Sequence, residues 1–366
     1  MSRALDALAG VRPLDPVAKR DAVAHLDSLT KPPGSLGRVE ELVIWLAGVT
    51  GQAAPAVDRP VVIVAAADHG VARDHEVSAY PPEVTAQMVA NFLAGGAAIS
   101  SLAGLAGAEV VVLDVGVAST IPDVLTDGHA RLVSAPVGQG TRDMTNGPAM
   151  TPDDVHQAIE AGFETAEREL DSGANVIAIG EMGIGNTTAA SAVVAAVTRR
   201  PPRQVTGRGT GINPATWQRK VETVRLALDV NGHPTEPLDI LAAVGGLEIA
   251  ALVGVIAAGA SRGVPLVLDG FITAAAALIA SELNHAVVPR LVAGHRSIEP
   301  GHRIALEHLA LRPLLELDMR LGEGTGAVLA LTLIKAAAAV RDGMATFQSA
   351  GVSGRTGSAH GVGLGR

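Results

Sequence analysis

The sequence predicts an α/β protein built on a parallel sheet, and three observations carry that prediction. Short apolar runs at 61–67, 109–115, 175–179 and 265–268, with a further one at 285–291, recur with helical stretches between them. Each run is continuous rather than alternating, as in strands covered on both faces. The first four lead into an acid or a glycine: Asp68-His69-Gly70, Asp114-Val115-Gly116, Gly180-Glu181-Met182-Gly183 and Asp269-Gly270. Ligands of such sheets sit beyond the carboxyl ends of the strands, so these residues are expected on one cleft rim.

The elements follow in order. Val17, Ala18, Ala22, Leu26 and Leu29 fall at helical spacing, and Lys31-Pro32-Pro33-Gly34 ends that helix. Ser35-Leu36-Gly37-Arg38-Val39-Glu40 leads into a second helix ending near Gly51, with Ser35 the expected N-cap. Both helices precede any strand signal, which assigns them to a separate helical subdomain. A helix is expected from Pro82. Another starts at Asp153-Asp154 after Thr151-Pro152, and an Ala-rich one covers 189–197. The apolar run 245–260 is broken by Glu248 and several glycines, and suits a buried helix better than a membrane span. After Phe347 the chain is rich in Gly and Ser, with Arg355 and His360, and lacks the apolar content to pack. It is expected to be mobile.

Composition narrows the function. Hydrophobic residues are 48% of the 366 and aromatics only 2%, so the core has to be assembled from Ala, Val, Leu and Ile. The net charge of -9 argues against nonspecific binding to nucleic acid or anionic membrane, leaving a small molecule or another protein as partner. With no cysteine, disulfides, thiolate metal sites and a cysteine nucleophile are excluded. The first ten residues lack the basic start and apolar run of a secretory signal, so a cytoplasmic location is expected.

Four stretches carry chemistry. Leu321-Gly322-Glu323-Gly324-Thr325-Gly326-Ala327 sets one carboxylate among glycines just before a long apolar helix. Such a loop can present Glu323 to a ligand as a base, or simply place it near a helix start that favours an anion. Gly183-Ile184-Gly185-Asn186-Thr187-Thr188 opens the Ala-rich helix and suits one phosphate, though a plain strand-to-helix turn has the same composition. It matches neither the Walker A loop nor the dinucleotide-binding glycine pattern. Arg208 and Lys220 can close over the same phosphate or lie in solvent. Ser78, Tyr80, Gln87 and Met88 offer a flat face, a soft apolar contact and hydrogen bonds suited to a planar heteroaromatic, or an ordinary loop and helix start. His69, His295 and His302 lack metal-site spacing and are expected to orient loops.

Taken together, residues 31–40 (KPPGSLGRVE), 67–71 (ADHGV), 77–88, 180–188 (GEMGIGNTT), 269–271, 299–302 and 321–327 resemble the nicotinate-nucleotide:dimethylbenzimidazole phosphoribosyltransferases of cobalamin lower-ligand synthesis. The matches span nearly the whole chain in family order. Val39 stands where a Leu is usual, and 293–298 departs from the family's Ser-His-x-Ser-Ala pattern. The resemblance implies a Rossmann-like large domain (56–329), a small helical domain from both chain ends (1–55 with about 330–366) and a homodimer. It also implies transfer of the phosphoribosyl group of nicotinate mononucleotide to 5,6-dimethylbenzimidazole, with no cofactor and no metal. By similarity Glu323 takes the general-base position, with Glu181 as an alternative or helper. Ser78, Tyr80, Gln87 and Met88 fall in the benzimidazole pocket, and Glu181, Gly183, Gly185, Asn186, Thr187 and Lys220 fall around the mononucleotide. Two other readings are a non-catalytic nucleotide or azole sensor on the same fold, and a pyrophosphate-dependent transferase. The latter needs an acidic pair at a strand end, which Asp153-Asp154 does not supply.

Overall fold

The computed structural model describes residues 2–124, 128, 130–209 and 211–354. Six parallel strands form one sheet: β1 Pro60–Ala67, β2 Glu109–Gly116, β3 Ala130–Ser134, β4 Val176–Met182, β5 Leu266–Leu268 and β6 Leu291–Ala293. Their order across the sheet is β3-β2-β1-β4-β5-β6. The winding reverses between β1 and β4, which pair from Pro60 opposite Val176 to Ala66 opposite Met182. Chain leaving these two strands goes to opposite faces and opens a crevice at their carboxyl ends, where ligands bind in doubly wound sheets.

Alternate residues of the central strands feed two apolar layers. Ile63, Ala65, Val111, Leu113, Ile177 and Ile179 face helices Pro152–Asp171, Leu247–Ser261 and Phe271–Leu283. Val62, Val64, Val110, Val112, Val176 and Ala178 face Arg38–Thr50, Ala98–Ala106 and Thr325–Gly343. This is why each strand reads as a continuous apolar run. Helix Leu247–Ser261 is buried along all but its last residue, so the run at 245–260 is a core helix. The one described apolar stretch long enough to cross a membrane, Val84–Ala106, consists of two helices, Val84–Leu93 and Ala98–Ala106, separated at Gly95 and Gly96.

Several boundaries differ from expectation, each for a physical reason. β4 continues through Gly180, Glu181 and Met182, which the sequence placed in the following turn. β3 gave no clear signal because it is a short edge strand with one fully buried residue out of five. The run at 285–291 is mostly a 3-10 helix, His285–Arg290, containing Pro289 before the short β6. Ser35 is not a cap: helix Arg38–Thr50 starts after Gly37. Glu40 reaches back instead, accepting from the Gly34 and Leu36 amides and pairing with the buried Lys31 ammonium at 2.9 Å. These contacts hold Glu40 in its charged form against the cost of burial, and its pKa is lowered.

Helix Pro16–Ser28 matches the expected span and is capped by Asp15, which accepts from Val17 and Ala18. Thr151 and Asp154 close a reciprocal capping box at the start of Pro152–Asp171. The chain ends meet, with the Thr30 amide donating to Ala345 O at 3.0 Å and Leu29 bridging Thr346. Past Phe347 the chain makes one short helix, Phe347–Ala350; Arg355 and His360 lie outside the described residues.

Helices Pro152–Asp171 and Leu247–Ser261 cross with their backbones touching at two glycines. A β-carbon on Gly162 would collide with Ala251 O, and one on Gly254 with Ile159 O. Replacing Gly254 by Ala therefore forces the pair apart within a close-packed layer, and should cost about 3 kcal/mol of stability. Urea unfolding of the variant checks this; an unchanged midpoint would contradict the crossing.

Candidate active site

The crevice at the β1/β4 switch is built by two segments that need glycine. Gly180 in β4 lacks the β-carbon that would strike the backbone of Glu323 and Gly324, so the 322–324 loop lies directly on the strand. Gly322, Glu323 and Gly324 all take left-handed backbone, with φ of 88°, 65° and 88°. That conformation is unfavourable for Glu and persists only where surroundings enforce it. Asp269, at the end of β5, supplies the enforcement: its carboxylate accepts from the amides of Gly324 (3.1 Å), Gly326 (2.6 Å) and Ala327 (3.2 Å). Asp269 thus satisfies the open donors of helix Thr325–Gly343. Burial nevertheless pushes its pKa up to about 7.

Glu323 is 5% exposed. Burial raises its pKa to about 6, opposed by one hydrogen bond from the Ile99 amide in the first turn of helix Ala98–Ala106. Sequence alone left open whether burial or a helix start would win; burial does. The helix start involved is that of Ala98–Ala106, not the one following Gly326. Among the described residues, Glu323 Oε2 has no hydrogen-bond partner. That oxygen is buried and unpaired.

Gly183 and Gly185 form the second segment. Gly183 abuts Ala67 O at the end of β1, and Gly185, with φ 97°, caps helix Asn186–Thr198. The Ile184 amide donates to Thr85 Oγ1 at 3.1 Å, which ties this loop to helix Val84–Leu93. Glu181, Gly183, Asn186 and Thr187 line one cavity together with Leu321 and Gly322. Glu323 does not line that cavity; its carboxylate lies beside it, toward Ile99. Lys220 is fully buried behind Thr187 and donates to Thr187 Oγ1 at 2.7 Å. Burial lowers its pKa to about 8, partly offset by the charge of Glu299.

Glu181 differs from Glu323. Burial comes first, then the charges of Asp269, Glu248 and Glu323, and together they raise its pKa well above the ordinary range despite a bond from the Asn186 side-chain amide.

The expected azole residues are less closely gathered. Ser78 Oγ accepts from the Tyr80 amide at 3.1 Å, Tyr80 is 52% exposed and Gln87 is exposed. Met88 is half-buried against the apolar layer that includes Phe92 and Val328. None of the four lines the cavity of the Gly183 loop. Helix Val84–Leu93 also begins two residues later than its expected start at Pro82.

Two of the histidines make defined buried contacts. His69 Nε2 and Glu248 Oε1 lie 2.9 Å apart in full burial. Burial alone would lower the His69 pKa, but the charges of Glu248 and Asp68 outweigh it and the pKa is raised. His302 is pushed down to about 3 by burial, and its Nδ1 accepts from the Ser297 amide at 3.0 Å. No cluster of three or more potential metal ligands occurs among the described residues. Sequence reasoning missed the parts played by Asp269, the Ile99 amide and Glu299. Asp269 alone had a signal, as the acid ending β5.

The family model described as phosphoribosyltransferase matches residues 11–352. A nicotinate-nucleotide–dimethylbenzimidazole phosphoribosyltransferase of Chloroflexus aggregans is 56% identical over 344 residues, covering 94% of this chain and 96% of that protein. The enzyme of the same name from Thermus thermophilus is 50% identical over 341 residues, covering 93% and 99%. A crystal structure of the Thermus thermophilus enzyme superposes with a TM-score of 0.86 at 48% identity, covering 93% of this chain and 100% of that one. Set beside the glycine-built crevice at the β1/β4 switch, these similarities show that the chain belongs to the nicotinate-nucleotide:dimethylbenzimidazole phosphoribosyltransferase family.

Proposed function

We propose that this protein transfers the phosphoribosyl group of nicotinate mononucleotide to 5,6-dimethylbenzimidazole, giving α-ribazole 5′-phosphate and nicotinate, with Glu323 as general base. The observation that carries the reading is Glu323 itself, a buried carboxylate with one free oxygen on a loop adjoining the Gly183 anion site.

The chemistry asks little of the protein. Nicotinate departs from a pyridinium as a neutral ring nitrogen, so its departure needs no general acid. Positive charge growing at C1′ develops beside a buried group of carboxyls. As one azole nitrogen bonds to C1′, the N–H of its partner becomes acidic and passes its proton to a carboxylate within reach. A base near pKa 6 is stronger than an ordinary glutamate and still ionised at neutral pH. Glu181, its pKa raised well above the ordinary range by burial and the neighbouring acids, accepts a hydrogen bond from the Asn186 side-chain amide and is assigned a supporting part beside Glu323.

The phosphate fits amides at the start of helix Asn186–Thr198, with the Thr187 hydroxyl and Lys220 behind it. The azole is assigned to the side of Ser78, Tyr80, Gln87 and Met88; Gln87 and Met88 are on helix Val84–Leu93, whose Thr85 accepts from the Ile184 amide of the same loop. A homodimer and a cytoplasmic location belong to the same proposal. Ile298, Leu317 and Leu321, each more than half exposed in segments bordering the cleft, are apolar surface that a second copy would cover.

Purified protein incubated with nicotinate mononucleotide and dimethylbenzimidazole should yield α-ribazole phosphate by mass; binding without nicotinate release would favour a sensor instead. Glu323→Gln removes the base and keeps the shape, so turnover should fall about 10²- to 10⁴-fold, and near-normal rates would exclude the assignment. Glu181→Gln keeps the shape and an oxygen that accepts from the Asn186 side-chain amide. It should cost no more than about tenfold in kcat/KM, the scale of one hydrogen bond; a loss matching Glu323→Gln would assign base chemistry to Glu181.

A further inference from the structure

We propose that Arg320 makes this site select a 5′-phosphorylated ribotide over the corresponding riboside, a role that rests on the function proposed above. The cavity that takes the mononucleotide has an unfavourable balance of charge for a phosphate. Two carboxyl side chains, Glu181 and Glu299, line it, and among the described residues Arg320 is the one lining side chain with a permanent positive charge. Lys220 is not part of that lining: it is fully buried, its ammonium donates to Thr187 Oγ1 and the charge of Glu299 acts on it. A phosphate dianion entering here meets a cation that is shielded by a hydroxyl and partly neutralised from behind.

Arg320 is placed to make up the difference. Its Nη1 donates to Gly209 O at 3.2 Å, and among the described residues it forms no ion pair with a carboxylate. A β-carbon on Gly209 would lie 3.2 Å from Thr187 Oγ1 and 3.5 Å from Lys220 Nζ. The guanidinium is therefore held by the backbone that covers the hydroxyl and amine of the phosphate cradle, with donors left for phosphate oxygens. A planar fork of N–H groups suits two such oxygens at once, which an ammonium cannot match. Arg320 also stands three residues before Glu323, so a phosphate gripped there bears on the segment that carries the base. Binding energy from the non-reacting end of the substrate would then help align the reacting end.

The test is titration calorimetry without azole, which reads binding whether or not the protein turns over. Wild type, Arg320→Gln and Arg320→Lys are each titrated with nicotinate mononucleotide, nicotinate riboside and inorganic phosphate, with thermal melts confirming folding. In Arg320→Gln the Kd values for mononucleotide and phosphate should rise about 10- to 100-fold, the range of one charge-assisted hydrogen bond. The riboside Kd should shift far less, and Arg320→Lys should recover part of the loss. A parallel rise for the riboside would make Arg320 a loop support without phosphate selectivity. Unchanged mononucleotide binding in Arg320→Gln would also overturn the proposal. Failure of the transfer reaction itself appears separately, as wild type that binds mononucleotide and never releases nicotinate.

Discussion

One buried carboxylate holds the crevice in shape. Asp269 ends β5 and accepts from three amides of the chain entering helix Thr325–Gly343. Without it, three consecutive left-handed residues, one of them a glutamate, would have little reason to keep their conformation. The arrangement also needs Gly180, because any side chain there would hold the loop off β4. A strand-end acid and a mid-strand glycine, distant in sequence, thus fix where Glu323 points. The chemistry follows from that placement.

Burial sets the electrostatics. Asp269, Glu248 and Glu323 lie close enough to raise the pKa of Glu181, and Glu323 close enough to raise that of Asp269, an expensive grouping for structure alone. The outcome is a division of roles. Glu248 has His69 as partner, Asp269 has three amides, Glu181 accepts from the Asn186 side-chain amide, and Glu323 is left near 6 with Oε2 unpaired. Acids pushed to different pKa values in one site are the usual sign that one of them handles a proton.

Much of this was legible in the chain. Continuous apolar runs announced a sheet covered on both faces, and the residues after them marked the crevice. Local composition drew the eye to Glu323 and the Gly183 loop but fitted an ordinary turn before a helix equally well; it was the ordered set of motifs along the chain that favoured a site. What stayed hidden depends on chain segments meeting in space. Nothing near Asp269 in sequence says that it will cap a helix beginning at Thr325, and nothing near Ile99 says that its amide will hold Glu323. β3 was invisible because an edge strand with one fully buried residue carries little apolar pattern. Glu40 capped its helix from inside, so the expected signal at Ser35 pointed to the wrong residue. The azole side was the least legible. Tyr80 and Gln87 are exposed, and their sequence fits a loop as well as a pocket.

The central claim is that a burial-raised glutamate takes the azole proton, and the pH dependence of kcat/KM, compared between wild type and Glu323→Gln, tests it most directly. In wild type the rate should fall about tenfold per pH unit below roughly pH 6, as a base near that pKa becomes protonated. The residual rate of the variant should lack this limb. Protonation of the azole itself would leave the limb in both proteins, so the difference between the profiles belongs to the side chain. Identical limbs in the two proteins, or a wild-type profile flat through pH 5, would contradict the account.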